Sequence, residues 1–231
     1  DEVTAPRTGA ASAAGATTVE VVARAGSLRI EGRDGLGEVR ARGTARASSR
    51  RILDEVRLTV TRRGATVEVR VETPDRLDDG NHASLDLVVE LPKTVAVRAE
   101  DGSGDLEVQG VRSLDLEDGS GTARILDIGG PVTIADGSGD LRLSDVRGEV
   151  RIDDGSGGID LRNVRGSVVL EDGSGAIDAA DVTGSIRVVR KGSGSIDVVR
   201  VGGDFVVERR TSGRVEHHDV KGRVEVPRRR G

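Results

Sequence analysis

The chain has 231 residues, 35% of them hydrophobic and 32% charged, with one Phe and no Trp, Tyr, Met or Cys. The lack of cysteine excludes disulfides and thiol chemistry, and the lack of large side chains leaves only a thin core of Val, Ile, Leu and Ala. A net charge of −5, from 35 basic and 40 acidic residues without aromatic platforms, argues against nucleic acid as a partner, and no apolar run is long enough to span a membrane.

Residues 1–16 are rich in Ala, Gly, Ser and Thr and read as a disordered leader. The start at Asp1 without Met reads as a processed terminus from which a signal or anchor has gone, an expectation of an extracellular, periplasmic or cell-envelope protein. From Thr17 the alternation of half-buried strands begins, in TVEVVAR, in SLRIEG at Ser27 to Gly32, and in GEVRARG at Gly37 to Gly43. Ser48 to Glu55 reads as a turn or one short helix. Further alternating runs follow at Val56 to Thr61, Thr66 to Thr73 and Ser84 to Leu91, with turn chemistry from Asp75 to Ala83. Residues 17–92 are expected to form an irregular β region capping a regular repeat over 93–227, followed by a basic tail at 228–231.

Within the repeat one phrase returns seven times. It reads DGSG at Asp101, Asp118, Asp136, Asp154 and Asp172, then KGSG at Lys191 and RTSG at Arg210, with the Ser-Gly pairs 17, 18, 18, 18, 19 and 19 residues apart. Self-similarity at this period is the mark of a solenoid. Aliphatic residues recur in five columns, for example Leu141, Leu143, Val146, Val150 and Ile152 in one repeat. Period-two spacing sets the first two on one inward face and the last two on another, with a corner between. The expected fold is all-β, a β-solenoid (β-helix) with coils of about 18 residues and two short strands per coil. Tight corners call for positive φ, which assigns structural turn roles to Gly104, Gly121, Gly139, Gly157, Gly175, Gly194 and Gly213. A second turn column, from Gly110 through Asp127, Asp145, Asn163, Asp181 and Arg200 to Asp219, suits residues that tolerate left-handed backbone.

The candidate chemistry lies in the acidic stripe of Asp101, Asp118, Asp136, Asp154 and Asp172. Stacked carboxylates repel, so something must offset them. One reading is a row of Ca²⁺ ions, although the glycine and aspartate-rich nonapeptide motif fits out of register. The other is that each Asp accepts hydrogen bonds from the following Gly-Ser-Gly amides while Arg142, Arg151, Arg187 and salt screen the rest. The switch to Lys191 and Arg210 reads as a block against edge-to-edge growth at the final coils. No nucleophile or carboxylate pair stands out from the repeat, so a polysaccharide-active β-helix enzyme is a remote reading and the chain is expected not to be an enzyme. His217 and His218 alternate along one strand and do not jointly ligate a metal.

The Pro-terminated run LDLVVELPKTVAVRAEDGSGDLEV, Leu85 to Val108, with its repeated SGDLxL, SGxIDL and RGxVxL units, resembles the bacterial domain of unknown function presumed to act in adhesins. The resemblance covers about Thr17 to Val226. It implies a β-solenoid on exported or membrane-anchored envelope proteins, with no catalytic residues to carry over. This chain departs from that family in its near lack of aromatics. The function expected is a non-enzymatic, exported, adhesin-like structural or binding module, with a protein or cell-surface component as partner and with the Ca²⁺-binding solenoid as the alternative.

Overall fold

The computed structural model describes residues 2–74, 77 and 79–227. The basic tail 228–231 lies outside these residues, as do Asp75, Arg76 and Asp78 of the expected loop. The fold is all-β apart from one short helix among the described residues, and the chain divides into two compact units, Asp1–Arg112 and Ser113–Gly231.

The first unit holds β1 (Val3–Ser12), β2 (Thr18–Val22), β3 (Leu28–Arg33), β4 (Glu38–Ala47), α1 (Arg50–Glu55), β5 (Arg57–Arg63), β6 (Thr66–Glu72), β7 (Ala83–Pro92), β8 (Ala96–Asp101) and β9 (Leu106–Gln109). Strand β2 lies between β6 and β8, parallel to both, and β3 lies likewise between β7 and β9. Three solenoid layers are therefore present, β6/β7, β2/β3 and β8/β9, stacked in an order that is not chain order. Antiparallel strands complete the unit, with β5 on β6, β4 on β7 and β1 on β4.

Strand β1 corrects the reading of residues 1–16 as disordered. It pairs along its whole length with β4, from Val3↔Ala47 to Ser12↔Glu38. Ladder hydrogen bonds need no large side chains, and small ones allow close approach: a Cβ on Gly9 would stand 2.8 Å from Val60 Cγ2. Arg7 then ties the strand to the helix, donating from Nε to the Val56 carbonyl at 2.8 Å and from Nη2 to the Leu53 carbonyl at 2.7 Å. Low hydrophobicity alone did not make this segment a leader.

The second unit is the regular solenoid. Its strands are β10 (Ser113–Asp118), β11 (Ala123–Ile128), β12 (Val132–Asp136), β13 (Leu141–Val146), β14 (Val150–Asp154), β15 (Ile159–Val164), β16 (Val168–Ser174), β17 (Ile177–Val182), β18 (Ile186–Ser193), β19 (Ile196–Val201), β20 (Phe205–Val207), β21 (Val215–Val220) and β22 (Val224–Glu225). The even-numbered strands form one parallel sheet and the odd-numbered strands the other, each pairing with the strand of the next coil. Register is 18 residues per step through β10, β12, β14 and β16, as in Leu114↔Val132 and Val150↔Val168. Between β16 and β18 it slips by one: Leu170 pairs with Val188 but Glu171 with Arg190, so Val189 is the extra residue of a bulge. This is the origin of the longer repeat at the C-terminal end.

The aliphatic columns are the core. Val132, Ile134, Leu141, Leu143 and Val146 are buried, and their equivalents stack above and below them. The corner residues take left-handed backbone as their chemistry suggests, with φ of 52 to 60° at Asp127, Asp145, Asn163, Asp181, Arg200 and Asp219. In the final coil the inward positions open: Val215 and Val224 are half-buried and His217 is exposed, its ring 6.2 Å from that of Phe205.

Candidate functional site

The repeating aspartates lie inside the solenoid. In β12 the side chains alternate inward and outward as Val132, Thr133, Ile134, Ala135, Asp136, with the odd members of this series buried. Strand parity thus makes Asp136 the third inward residue of its strand before it is a turn residue. The same holds for Asp118 in β10, Asp154 in β14 and Asp172 in β16, and within the first unit for Asp101 at the end of β8. Asp154 and Asp172 are 1% and 0% exposed.

Lys191 continues this column. It pairs in register with Asp172 and is 1% exposed, although five residues separate it from the inward Ile186. An odd separation would turn it outward; the bulge at Val189 restores inward parity. The ammonium Nζ lies 2.6 Å from Asp172 Oδ2 and donates to the carbonyl of Gly175 at 2.7 Å and to that of Ser193. Lys191 is therefore an interior counter-ion rather than the surface block expected from its sequence position. Arg210 takes the next place, partly buried, donating to the Gly213 carbonyl at 2.8 Å.

Asp136 Oδ1 accepts from the Ser138 amide at 3.1 Å, and Asp154 Oδ1 from the Ser156 amide at 3.0 Å. The turn hydrogen bonds expected from the DGSG phrase are present at these two coils. The second oxygen of each, Asp136 Oδ2 and Asp154 Oδ2, is buried without a hydrogen-bond partner. The arginines expected to screen the column do not reach it: Arg142, Arg151 and Arg187 all stand on the exposed faces, and Arg187 pairs with Glu208. In-register neighbours in a parallel sheet are about 4.8 Å apart. Two carboxylates at that spacing repel by roughly 3 kcal/mol at the effective dielectric of about 20.

Burial pushes every one of these carboxyls in the second unit upward. Asp136 rises to about 6, through burial and then the charge of Asp118. Asp154 rises to about 7, through burial and then the charges of Asp136 and Asp172. Asp118 is also raised by burial, against the amides of Ser120 and Gly119, and Asp172 by burial against the opposing pull of Lys191. Among the described residues no group of three or more His, Cys, Asp or Glu side chains is disposed to hold a metal ion. Strand parity, available in the sequence, was the signal that these aspartates point inward.

The outer corner offers shallower features. Two depressions of about 180 and 300 Å³ run along the left-handed column, the larger lined by Asn163, Asp181, Thr183, Arg200, Asp219 and Lys221. Their charges are already paired, Arg200 with Asp181 at 2.6 Å and Lys221 with Asp219 at 2.6 Å.

The family model for Toastrack DUF4097 matches residues 17–226. No curated protein matches the chain. Among solved structures, a presumed adhesin from Bacteroides fragilis is 13% identical, with 97% of this chain and 96% of that one covered and a TM-score of 0.48. A presumed cell adhesion protein from Clostridium sporogenes is 13% identical over 96% and 98% of the two chains, with a TM-score of 0.45. A presumed lipid binding protein from Parabacteroides distasonis is 13% identical over 96% and 97%, with a TM-score of 0.46.

Proposed function

From the premise that this chain belongs to the Toastrack DUF4097 family, we propose that it is a non-enzymatic, exported β-solenoid that serves the bacterial cell envelope as an adhesin-like structural or binding module. The observation that carries this reading is the division of labour in the second unit. The carboxyls that burial shifts upward are enclosed in its interior, away from any substrate, the exposed Asp181 and Arg200 are shifted chiefly by pairing with each other, and its outer faces repeat from coil to coil. Reactive sites stand out from their scaffold as exposed constellations of acid, base or nucleophile. The outer sheet positions here carry instead a regular mixture of Arg, Asp and small residues, such as Arg142, Ser144, Asp160 and Arg162. A repetitive exposed face of this kind suits contact over a length rather than at a point.

Two measurements test it. Fractionation of the source cells, with the native protein followed by mass spectrometry, is expected to find it in the envelope or the medium; recovery of all of it from the cytoplasm overturns export. Cosedimentation of the purified chain with isolated envelopes is expected to fall when Arg142, Arg151 and Arg162 are changed to Ala together. Binding that is absent in the unaltered chain, or unchanged in the variant, removes the binding role assigned to this face.

A further inference from the structure

We infer that the interior column of Asp118, Asp136 and Asp154 is a proton-binding ladder, in which carboxyls that keep their protons hydrogen-bond from coil to coil, and in which Lys191 balances the one ionised member, Asp172.

The charge inventory of the column requires it. In the second unit four buried aspartates stand in register, Asp118↔Asp136↔Asp154↔Asp172, followed by one buried cation, Lys191. The ammonium lies on Asp172 and spends its remaining donors on the carbonyls of Gly175 and Ser193, so it hydrogen-bonds to none of the other three; of these Asp154 alone feels its charge, and that pull is smaller than the opposing effects of burial and of Asp136 and Asp172. Arg190, pairing with Glu171 on the outside, acts on Asp172 alone. The turns contribute only backbone amides, from Gly119 and Ser120 to Asp118, from Gly137 and Ser138 to Asp136 and from Ser156 to Asp154. The inward positions of the facing sheet are apolar, as at Ala123, Leu141, Ile159 and Ile177. An ionised carboxylate buried without a counter-charge is costly, and it relieves the cost by taking a proton.

Protonation also supplies what the geometry lacks. A carboxylate is an acceptor only, so adjacent ionised aspartates cannot bond to each other; a protonated one has an O–H to donate. With protons in place, the unpartnered Asp136 Oδ2 and Asp154 Oδ2 gain partners within the ladder. The raised positions of Asp136 and Asp154, about 6 and about 7, agree with this.

The sign of the pH effect follows. The folded state binds these protons more tightly than the unfolded chain, whose carboxyls titrate near 3.8. The stabilisation is complete below that value and is lost as pH rises through about 6 and about 7. Between 3.8 and those values each retained proton lowers the folding equilibrium constant about tenfold per pH unit of rise, and above them the dependence levels off.

The test is thermal unfolding of the full chain from pH 4.5 to 8.5 in EDTA, alongside Asp136→Asn with Asp154→Asn, in which each amide stands in for a protonated carboxyl. The exposed pair Asp115→Asn with Asp178→Asn controls for lost surface charge. We expect the midpoint of the unaltered chain and of the control to fall as pH rises, and that of the interior pair to flatten. Because the interior variant can fail to fold, ¹³C-aspartate NMR of the unaltered chain is the second readout, with carboxyl carbons titrating above pH 5.5 expected. The inference is overturned by a midpoint that is flat or rises across the window, by an interior pair that keeps the full slope, or by aspartates that all titrate near 4. A midpoint restored at high pH by Ca²⁺ and not by Na⁺ also overturns it, since a cation would then occupy the column.

Discussion

At Gly157 the backbone holds φ of +143°, and a Cβ added there would stand 1.6 Å from the carbonyl oxygen of Gly139 in the neighbouring coil. Strain and a clash with main chain combine, and neither can be relieved by rotating a side chain. Gly157→Ala is expected to cost at least about 3 kcal/mol, measured as a lowered urea midpoint at unchanged slope. A loss below about 1 kcal/mol would mean that neighbouring coils can separate locally. The same column was legible in the sequence, because a Ser-Gly pair at constant phase has few explanations other than a repeated tight corner. The aspartate three places earlier was harder to read. Asp-Gly is such ordinary turn chemistry that it masked the inward parity of Val132, Ile134 and Asp136, and only burial revealed that one residue serves both ends.

Among the elements, α1 is the one least explained by repetition. Ser49 begins it, its hydroxyl accepting weakly from the Ile52 amide at 3.4 Å, and Ile52 and Leu53 bury its inner side. Arg7 of β1 closes its other end through the carbonyls of Leu53 and Val56. Arg7→Ala is therefore expected to destabilise the first unit by about 1 to 3 kcal/mol, and amide exchange should quicken in both β1 and α1. Faster exchange confined to α1 would show that the two are not coupled. The strands of this unit were legible from alternation, but their stacking order was not, since β6/β7 lies beside β2/β3 across a long excursion in sequence. A hint was present in Gly26, which precedes SLRIEG as Gly104 precedes DLEV, and both take positive φ, +114° and +128°. Val189 makes the complementary point: one inserted residue looks like noise in a repeat, yet it reverses parity and turns Lys191 from the surface to the interior.

For the molecule as a whole, protons kept inside the ladder make the folded chain less acidic than its composition. Groups whose carboxyls titrate above the sequence isoelectric point of 5.4 carry less negative charge there, so native focusing should place the protein above that value and focusing in urea should return it. Equal positions in both conditions would contradict the raised carboxyls. The parallel ladders of the second unit have a mechanical consequence as well. Their backbone hydrogen bonds point from coil to coil, as from the Leu141 amide to the Gly158 carbonyl, so tension applied to the C-terminal end loads one coil's bonds at a time and leaves the rest slack. Pulled in an optical trap, this unit should lengthen as a staircase, each step releasing one coil or roughly 60 Å of extended chain. A staircase of this kind is the behaviour of a shock absorber, whereas a single abrupt rupture is that of a rigid strut.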